Sequence, residues 1–293
     1  MMEINKCPIC NSTEIIPYFS TRDYFFTNEE FSISKCNSCN FIFTNPVPAK
    51  EEIAKYYNTD KYISHDTNSN GLLGKLYNTI RDFNLKNKYS IIKKYIQQGS
   101  ALDIGSGTGE FLNFLKNKNW KTHGIEPEKK AREFAINKYK LEIFDENKLN
   151  QLNKNEFDLI SMWHVLEHVY EINERLQIIH SLLKDDGIFI NALPMIDSLD
   201  SLRFGKYWAG LDVPRHLHHF SHDTFQLLAN NCGFELIDKY PLKFDSYYVS
   251  YLSHKALNNS LALIRGLADG CISNMKADSK RNYSSMIFVL RKK

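Results

Sequence analysis

The chain has 293 residues, 43% of them hydrophobic, and a formal net charge of +3, which allows a substantial core and is too small to announce a nucleic-acid partner. No apolar stretch approaches the ~20 residues that span a bilayer, and no basic segment followed by an apolar run opens the sequence. A membrane span and a signal peptide are therefore not expected, and the cytoplasm is the expected compartment.

The first element is built on cysteine. Cys7-Pro8-Ile9-Cys10 and Cys36-Asn37-Ser38-Cys39 are two Cys-x2-Cys knuckles with 25 residues between them. In a reducing compartment such pairs ligate metal rather than form disulfides. Short β-prone runs lie between the knuckles (Ile15-Ile16, Phe31-Ser32-Ile33), and Phe41-Ile42-Phe43 follows them. Residues 1–45 thus read as a zinc ribbon, with Cys7, Cys10, Cys36 and Cys39 as tetrahedral ligands to a structural zinc. So small a unit needs the metal for stability. Its charges are mixed, Lys6, Arg22 and Lys35 against Glu3, Glu14, Asp23, Glu29 and Glu30, and form no basic stripe. A structural prop or a share in substrate binding is expected. Cys232 and Cys271 stand alone and are expected inside the core.

Asn45-Pro46-Val47-Pro48 reads as a linker, since proline disfavours both helix and strand pairing. Residues 46–98 continue with a short helix at 51–57, a polar loop at 58–70, and a longer helix carrying Leu76, Ile80, Phe83, Ile91 and Tyr95 at helical spacing. From 99 to 293 strands and helices alternate. Strands are expected at 100–104, 122–126, 142–144, 157–163, 188–193, 234–238 and 286–290, and Asp186-Gly187 is read as a turn before the fifth. The fourth is nearly continuous in apolar residues, as a strand buried on both faces should be. The pattern predicts an α/β fold: a Rossmann-like, seven-stranded, mostly parallel sheet with helices on both faces, plus the small ribbon. A substrate lid at about 195–222 and a helical insertion at about 246–280 are expected to decorate it.

Residues 103–109, Asp103-Ile104-Gly105-Ser106-Gly107-Thr108-Gly109, join the first of these strands to an apolar helical run, Phe111, Leu112, Phe114 and Leu115. Strand, glycine loop and helix form the nucleotide-binding corner of a doubly wound sheet. Glycines there let the backbone pass close to a ligand. A dinucleotide fingerprint needs a further glycine where this chain has Glu110, and Asp103 would repel a pyrophosphate. S-adenosylmethionine, with an ammonium, a sulfonium and no phosphate, satisfies both facts. Glu126 ends the next apolar run and offers a carboxylate to both ribose hydroxyls. Asp103, Gly105, Ser106, Gly107, Gly109, Glu126 and Pro127 are the expected cofactor residues, with Trp163 and His164 at the methionine end.

Residues 100–194 resemble a class I S-adenosylmethionine-dependent methyltransferase. The run Trp163-His164-Val165-Leu166-Glu167-His168, after Phe157-Asp158, is similar to the W-x-V-L-E-H segment of small-molecule methyltransferases that carry an N-terminal zinc ribbon. The Cys-x2-Cys knuckle, the Asn-Pro-x-Pro linker at 45–48 and Pro-Arg-His-Leu at 214–217 also recur in that group, so the likeness spans 7 to about 240. It implies methyl transfer to a small molecule, a sugar or nucleotide-linked sugar of bacterial polysaccharide or secondary-metabolite synthesis. It also implies that Asp145 meets the adenine amino group, an exposed loop acid being the alternative.

Four of the ten histidines lie between 216 and 222, in a lid that also carries Trp208 and Arg215. Histidine can accept a proton near neutral pH, and arginine can pair with a carboxylate or phosphate. His216 and Arg215 lead as substrate-facing residues, with Trp208 beside them; His219 and His164 are the other candidate bases. The alternative is a lid packed by Trp208, Leu211, Leu217 and Phe220 with solvated histidines. His164, Glu167 and His168 are metal-ligand types on a shared helical face. Some metal-dependent RNA and quinone O-methyltransferases use Glu-x-x-Glu-His here; with His at the first position this chain departs from that pattern, and Glu167 and His168 are expected to cap and brace the helix. Two rival functions are an RNA methyltransferase gripping RNA by its ribbon, against which the mixed charges argue, and a non-catalytic cofactor-binding or interaction module, against which the intact loop and Glu126 argue. The sequence leaves the oligomeric state open.

Overall fold

A computed structural model describes residues 1–57, 72–280 and 282–293, so the loop expected at 58–70 lies outside the described residues. Packing divides the chain into two compact units: residues 1–57 with 164–176 and 191–289, and residues 58–163 with 177–190 and 290–293.

The first unit opens with β1 (Ile15–Arg22), β2 (Glu30–Cys36) and β3 (Ile42–Thr44), an antiparallel meander with a register shift between Pro17 and Phe19. Its fourth strand comes from far along the chain: Ile42 pairs with His219 and Phe43 with His218. The ribbon read in residues 1–45 therefore forms three strands of a four-stranded sheet. Phe31, Ile33, Tyr56, Phe204, Trp208, Leu211 and Val213 pack as one buried cluster. The helix expected at 51–57 is a single 3-10 turn, Ile53–Tyr56.

In the second unit, α1 (Leu72–Ile92) precedes β4 (Ser100–Ile104), α2 (Glu110–Lys116), β5 (Lys121–Ile125), α3 (Lys129–Tyr139), β6 (Glu142–Phe144) and β7 (Phe157–Trp163). β4 pairs in parallel with β5 and β7, and β5 with β6. Ile91 and Ile92 of α1 are buried, whereas Phe83, expected on the same apolar stripe, is 55% exposed. α3 starts after Glu128, whose carboxylate accepts from the Ala131 N–H.

The seven-stranded, mostly parallel sheet runs β10-β11-β8-β7-β4-β5-β6, with β8 at Leu183–Pro194, β9 being the His218–His219 strand, β10 at Phe234–Pro241 and β11 at Ser285–Lys292. The turn expected at Asp186-Gly187 is absent. α4 (Ile172–Leu182) passes directly into β8, and Gly187 lies within it. A Cβ on Gly187 would sit 3.1 Å from the Asp158 carbonyl oxygen, so glycine here serves close strand approach. Lys184 holds both oxygens of Asp158, at 3.0 and 2.9 Å.

The remaining helices are α5 (Leu199–Phe204), α6 (His222–Asn231), α7 (Asp245–Ala256) and α8 (Ala262–Lys280). α6 opens with a Ser221/Thr224 capping box. α7 and α8 fill the expected insertion. Cys232 is buried as expected, but Cys271 on α8 is exposed.

Candidate active site

The glycine loop takes the shape that its composition demands. Gly105, Gly107 and Gly109 have φ of 75°, 53° and 79°, a region that disfavours side chains. The Gly105 and Ser106 N–H groups donate to the Ile125 carbonyl at 2.7 and 3.0 Å, folding the loop over the end of β5. The Gly107 N–H donates to Glu126 Oε2 at 2.7 Å, and the Glu128 N–H to Oε1 at 2.9 Å. Glu126 is thereby fixed, with one acceptor position on each oxygen still unused by these bonds. Burial raises its pKa, and the two N–H groups oppose the rise.

Asp103 is 3% exposed and accepts from the Ser161 hydroxyl at 2.6 Å. Burial pushes its carboxyl up to about 7, against the pull of Ser161 and Lys88. The Ser106 hydroxyl and the Trp163 indole N–H are buried without a hydrogen-bond partner among the described residues. The Lys88 ammonium lies 3.9 Å from the Trp163 ring centre, and Phe111 meets the same ring edge-on at 5.4 Å. Asp145 caps the 3-10 turn Glu146–Gln151, accepting from the Asn147 N–H at 3.1 Å, and is about half exposed. Pro127 follows Glu126 and presents its carbonyl to Arg132 at 3.1 Å. A fixed carboxylate, a buried loop acid and buried donors without partners fit a cationic nucleoside ligand.

The four cysteines lie together in the first unit, their sulfurs within 4.8 Å of one another. Cys7 Sγ is 3.5 Å from Cys39 Sγ, and Cys10 Sγ is 3.6 Å from Cys36 Sγ. Zinc–sulfur bonds of about 2.3 Å place tetrahedral sulfurs about 3.8 Å apart, so the tetrad fits zinc. Each knuckle closes alike: Asn11 and Asn40, with φ of 59° and 63°, donate to the Cys7 and Cys36 carbonyls at 2.9 Å. Asparagine tolerates this left-handed turn, and its place after each knuckle was the available sequence signal.

The lid residues divide in two. Arg215 turns inward: its guanidinium grips Asp212 at 3.0 and 2.7 Å, Asp23 at 2.8 and 3.3 Å, and the Tyr56 carbonyl at 2.9 Å. The carboxylate expected on a substrate is thus supplied by the chain itself. Trp208 is 2% exposed and donates to Asp200 at 3.2 Å. His219 sits within the four-stranded sheet, where burial drives its pKa well below the ordinary value. Its Nε2 lies 3.1 Å from the Thr44 hydroxyl, which donates onward to the His216 carbonyl at 2.9 Å.

His164, Glu167, His168 and His216 instead form one group. His164 follows β7 in a left-handed conformation (φ 57°), a strain found at functional positions. Its Nε2 lies 3.0 Å from Asp245 and its Nδ1 3.6 Å from Glu167 Oε1. Burial opposes its charged form, but Asp245 and Glu167 overcome this and raise its pKa to about 10. His168 and His216 meet edge to face with ring centres 4.6 Å apart. Burial, then the charge of His216, pushes His168 down to about 4. The bracing expected of Glu167 is not observed. Residues Leu166–His168 form only a 3-10 turn with no side-chain cap, and neither oxygen of Glu167, 0% exposed, has a hydrogen-bond partner among the described residues. Asp245, Asp23 and Thr44 were missed, because nothing local in the sequence links them to these loops.

Residues 75–239 match the family described as a methyltransferase domain. An uncharacterized protein of Methanocaldococcus jannaschii is 36% identical over 114 residues, 36% of this chain and 43% of that protein. An uncharacterized methyltransferase of Alkaliphilus oremlandii is 31% identical over 105 residues, 35% of this chain and 49% of its own. The chain spans about half the length of these relatives. In fold it is similar to a phosphoethanolamine N-methyltransferase of Haemonchus contortus solved with S-adenosylmethionine, with TM-score 0.53 at 14% identity over 95% of this chain and 68% of that one. The chain belongs to the methyltransferase-domain family and has the fold of class I S-adenosylmethionine-dependent methyltransferases.

Proposed function

We propose that the chain transfers a methyl group from S-adenosylmethionine to a small-molecule acceptor, of the sugar or nucleotide-linked sugar class. The observation that carries the reading is Glu126, fixed by two backbone N–H groups with acceptor capacity to spare, beside a loop of three left-handed glycines. Glu126 would take the ribose hydroxyls, and Asp103 the amino-acid ammonium. Asp145 and Pro127 would border the adenosine, and Trp163 the methionine end. S-adenosylmethionine supplies a methyl already activated by sulfonium. The chain's task is then to align the acceptor and exclude water, which can account for about 7–11 kcal/mol of the barrier. The His164–Glu167–His168–His216 group is the candidate acceptor-handling centre. Zinc in the cysteine tetrad would lock the knuckles beneath β1–β3, whose strands bind the segment that carries His216. The acceptor class rests on the resemblance of residues 45–48, 163–168 and 214–217.

Calorimetry with S-adenosylmethionine tests the donor site. Saturable binding is expected, weakened at least ~10-fold in Glu126→Ala; no heat and no thermal shift in the wild type would overturn the reading. A panel of nucleotide sugars with isotopically labelled donor tests the acceptor class, which falls if none is labelled. His216→Ala should lower turnover far more than donor affinity.

A further inference from the structure

In the histidine group, three side chains of metal-ligand type converge with no hydrogen bond joining them among the described residues. A nitrogen of His168, a nitrogen of His216 and an oxygen of Glu167 all lie within 4.8 Å of one another. Each imidazole is oriented from behind. His216 Nδ1 is 2.9 Å from the Gly210 carbonyl, and His168 Nδ1 is 2.9 Å from the Arg215 carbonyl, with the Tyr57 hydroxyl at 3.0 Å. A carbonyl only accepts, so both Nδ1 atoms carry a proton, which leaves Nε2 as the ligand atom of each ring. His216 Nε2 stands 3.9 Å from Glu167 Oε1, too far for a hydrogen bond. His164 comes no closer to that carboxylate than 3.6 Å and is engaged by Asp245 at 3.0 Å. Glu167 is thus a fully buried carboxylate with no hydrogen bond to either oxygen among the described residues, its contacts there being the longer ion pairs to His164 and His216. His164, whose burial Asp245 and Glu167 overcome to raise its pKa to about 10, supplies one positive charge at 3.6 Å, but no hydrogen bond satisfies either oxygen among the described residues, and a cation held between Glu167, His168 and His216 would satisfy them.

We propose that Glu167, His168 and His216 bind a divalent transition-metal ion. Bonds of about 2.0–2.2 Å to imidazole nitrogen and carboxylate oxygen span the observed separation. Backbone carbonyls behind both Nδ1–H groups are the outer-shell partners that metal-binding histidines use. Two imidazoles and one carboxylate suit zinc, iron(II), manganese or cobalt and leave coordination positions open. On the methyltransferase reading, those positions would take an oxygen of the acceptor, which the ion polarises. His216 then acts as a ligand.

The test is a Co2+ titration of the full chain with its cysteine zinc retained, followed by visible absorption. One saturable equivalent is expected, weakened at least ~100-fold in Glu167→Gln and in His216→Asn. S-adenosylmethionine binding is measured on the same samples. A variant that has lost the Co2+ site but binds cofactor as the wild type does supports the site; if Glu167→Gln does not fold, His168→Asn replaces it. No saturable Co2+ binding in the wild type, or unchanged binding in a folded variant, overturns it. A wild type that binds Co2+ but not S-adenosylmethionine upholds the site and overturns the methyltransferase reading instead.

Discussion

The glycine-loop corner and the histidine group are made by opposite strategies. The corner is local: Asp103 to Glu128 supply loop, carboxylate and clamp, and the key bonds, Gly107 and Glu128 to Glu126, join residues at most 19 positions apart. The histidine group is assembled from segments near 57, 164–168, 210–216 and 245, held by carbonyls and carboxylates contributed at long range. Local sites withstand distant damage. An assembled site fails whenever any contributing segment loosens.

The sharpest way to break the comparison is Gly107→Val. A β-branched residue at φ 53° should abolish measurable S-adenosylmethionine binding by calorimetry, a loss of at least ~100-fold, while metal content stays unchanged. If both are lost, the two regions are not independent.

Next in size is Arg215→Met. Asp23 is buried and loses a bidentate partner, so urea unfolding should show a loss of about 3–5 kcal/mol. Arg215→Lys should recover only part of it, because lysine cannot match the fork. In both variants, acceptor turnover should fall more than donor affinity.

Asp103 gives a pH signature inside the local corner. Below about 4 its carboxyl is protonated whether folded or unfolded; between about 4 and about 7 the folded state keeps a proton that the unfolded chain releases. Stability should therefore fall as pH rises through that window, by a few kcal/mol. Asp103→Asn should flatten this dependence in thermal unfolding, and an equal slope in both proteins would refute it.

The smallest expected effect is Ser221→Ala. It removes the α6 cap and should cost about 1 kcal/mol, with cofactor binding unchanged.

How much was legible follows the same division. The left-handed glycine loop and the clamped Glu126 were readable because the bonds that shape them lie within a short stretch. β7 and β11 were readable because a strand buried on both faces is a nearly continuous apolar run, the shorter strands because they alternate with helices. Cysteine spacing brought out the tetrad. Gly187 misled, because glycine in a strand and glycine in a turn look alike until the neighbouring backbone is seen. Arg215 and His219 misled more deeply. Their residue types speak of substrate, but Asp23 and Thr44, nearly two hundred positions away, claim them. Glu167 was underread because its significance is a buried carboxylate without a hydrogen bond among the described residues, beside histidines from distant segments, which no single sequence displays.

The pairing of β9 with β3 has a kinetic consequence. A flap swings by changing a few loop dihedrals. The 210–219 segment can lift only by unzipping the Phe43–His218 and Ile42–His219 ladder and parting Asp23 from Arg215. Such an opening is local unfolding, drawn from the stability of the sheet rather than from hinge freedom. Amides of this stretch should exchange with solvent as slowly as those of a core strand. Acceptor choice would then rest on a preformed shape rather than on closure around whatever has entered.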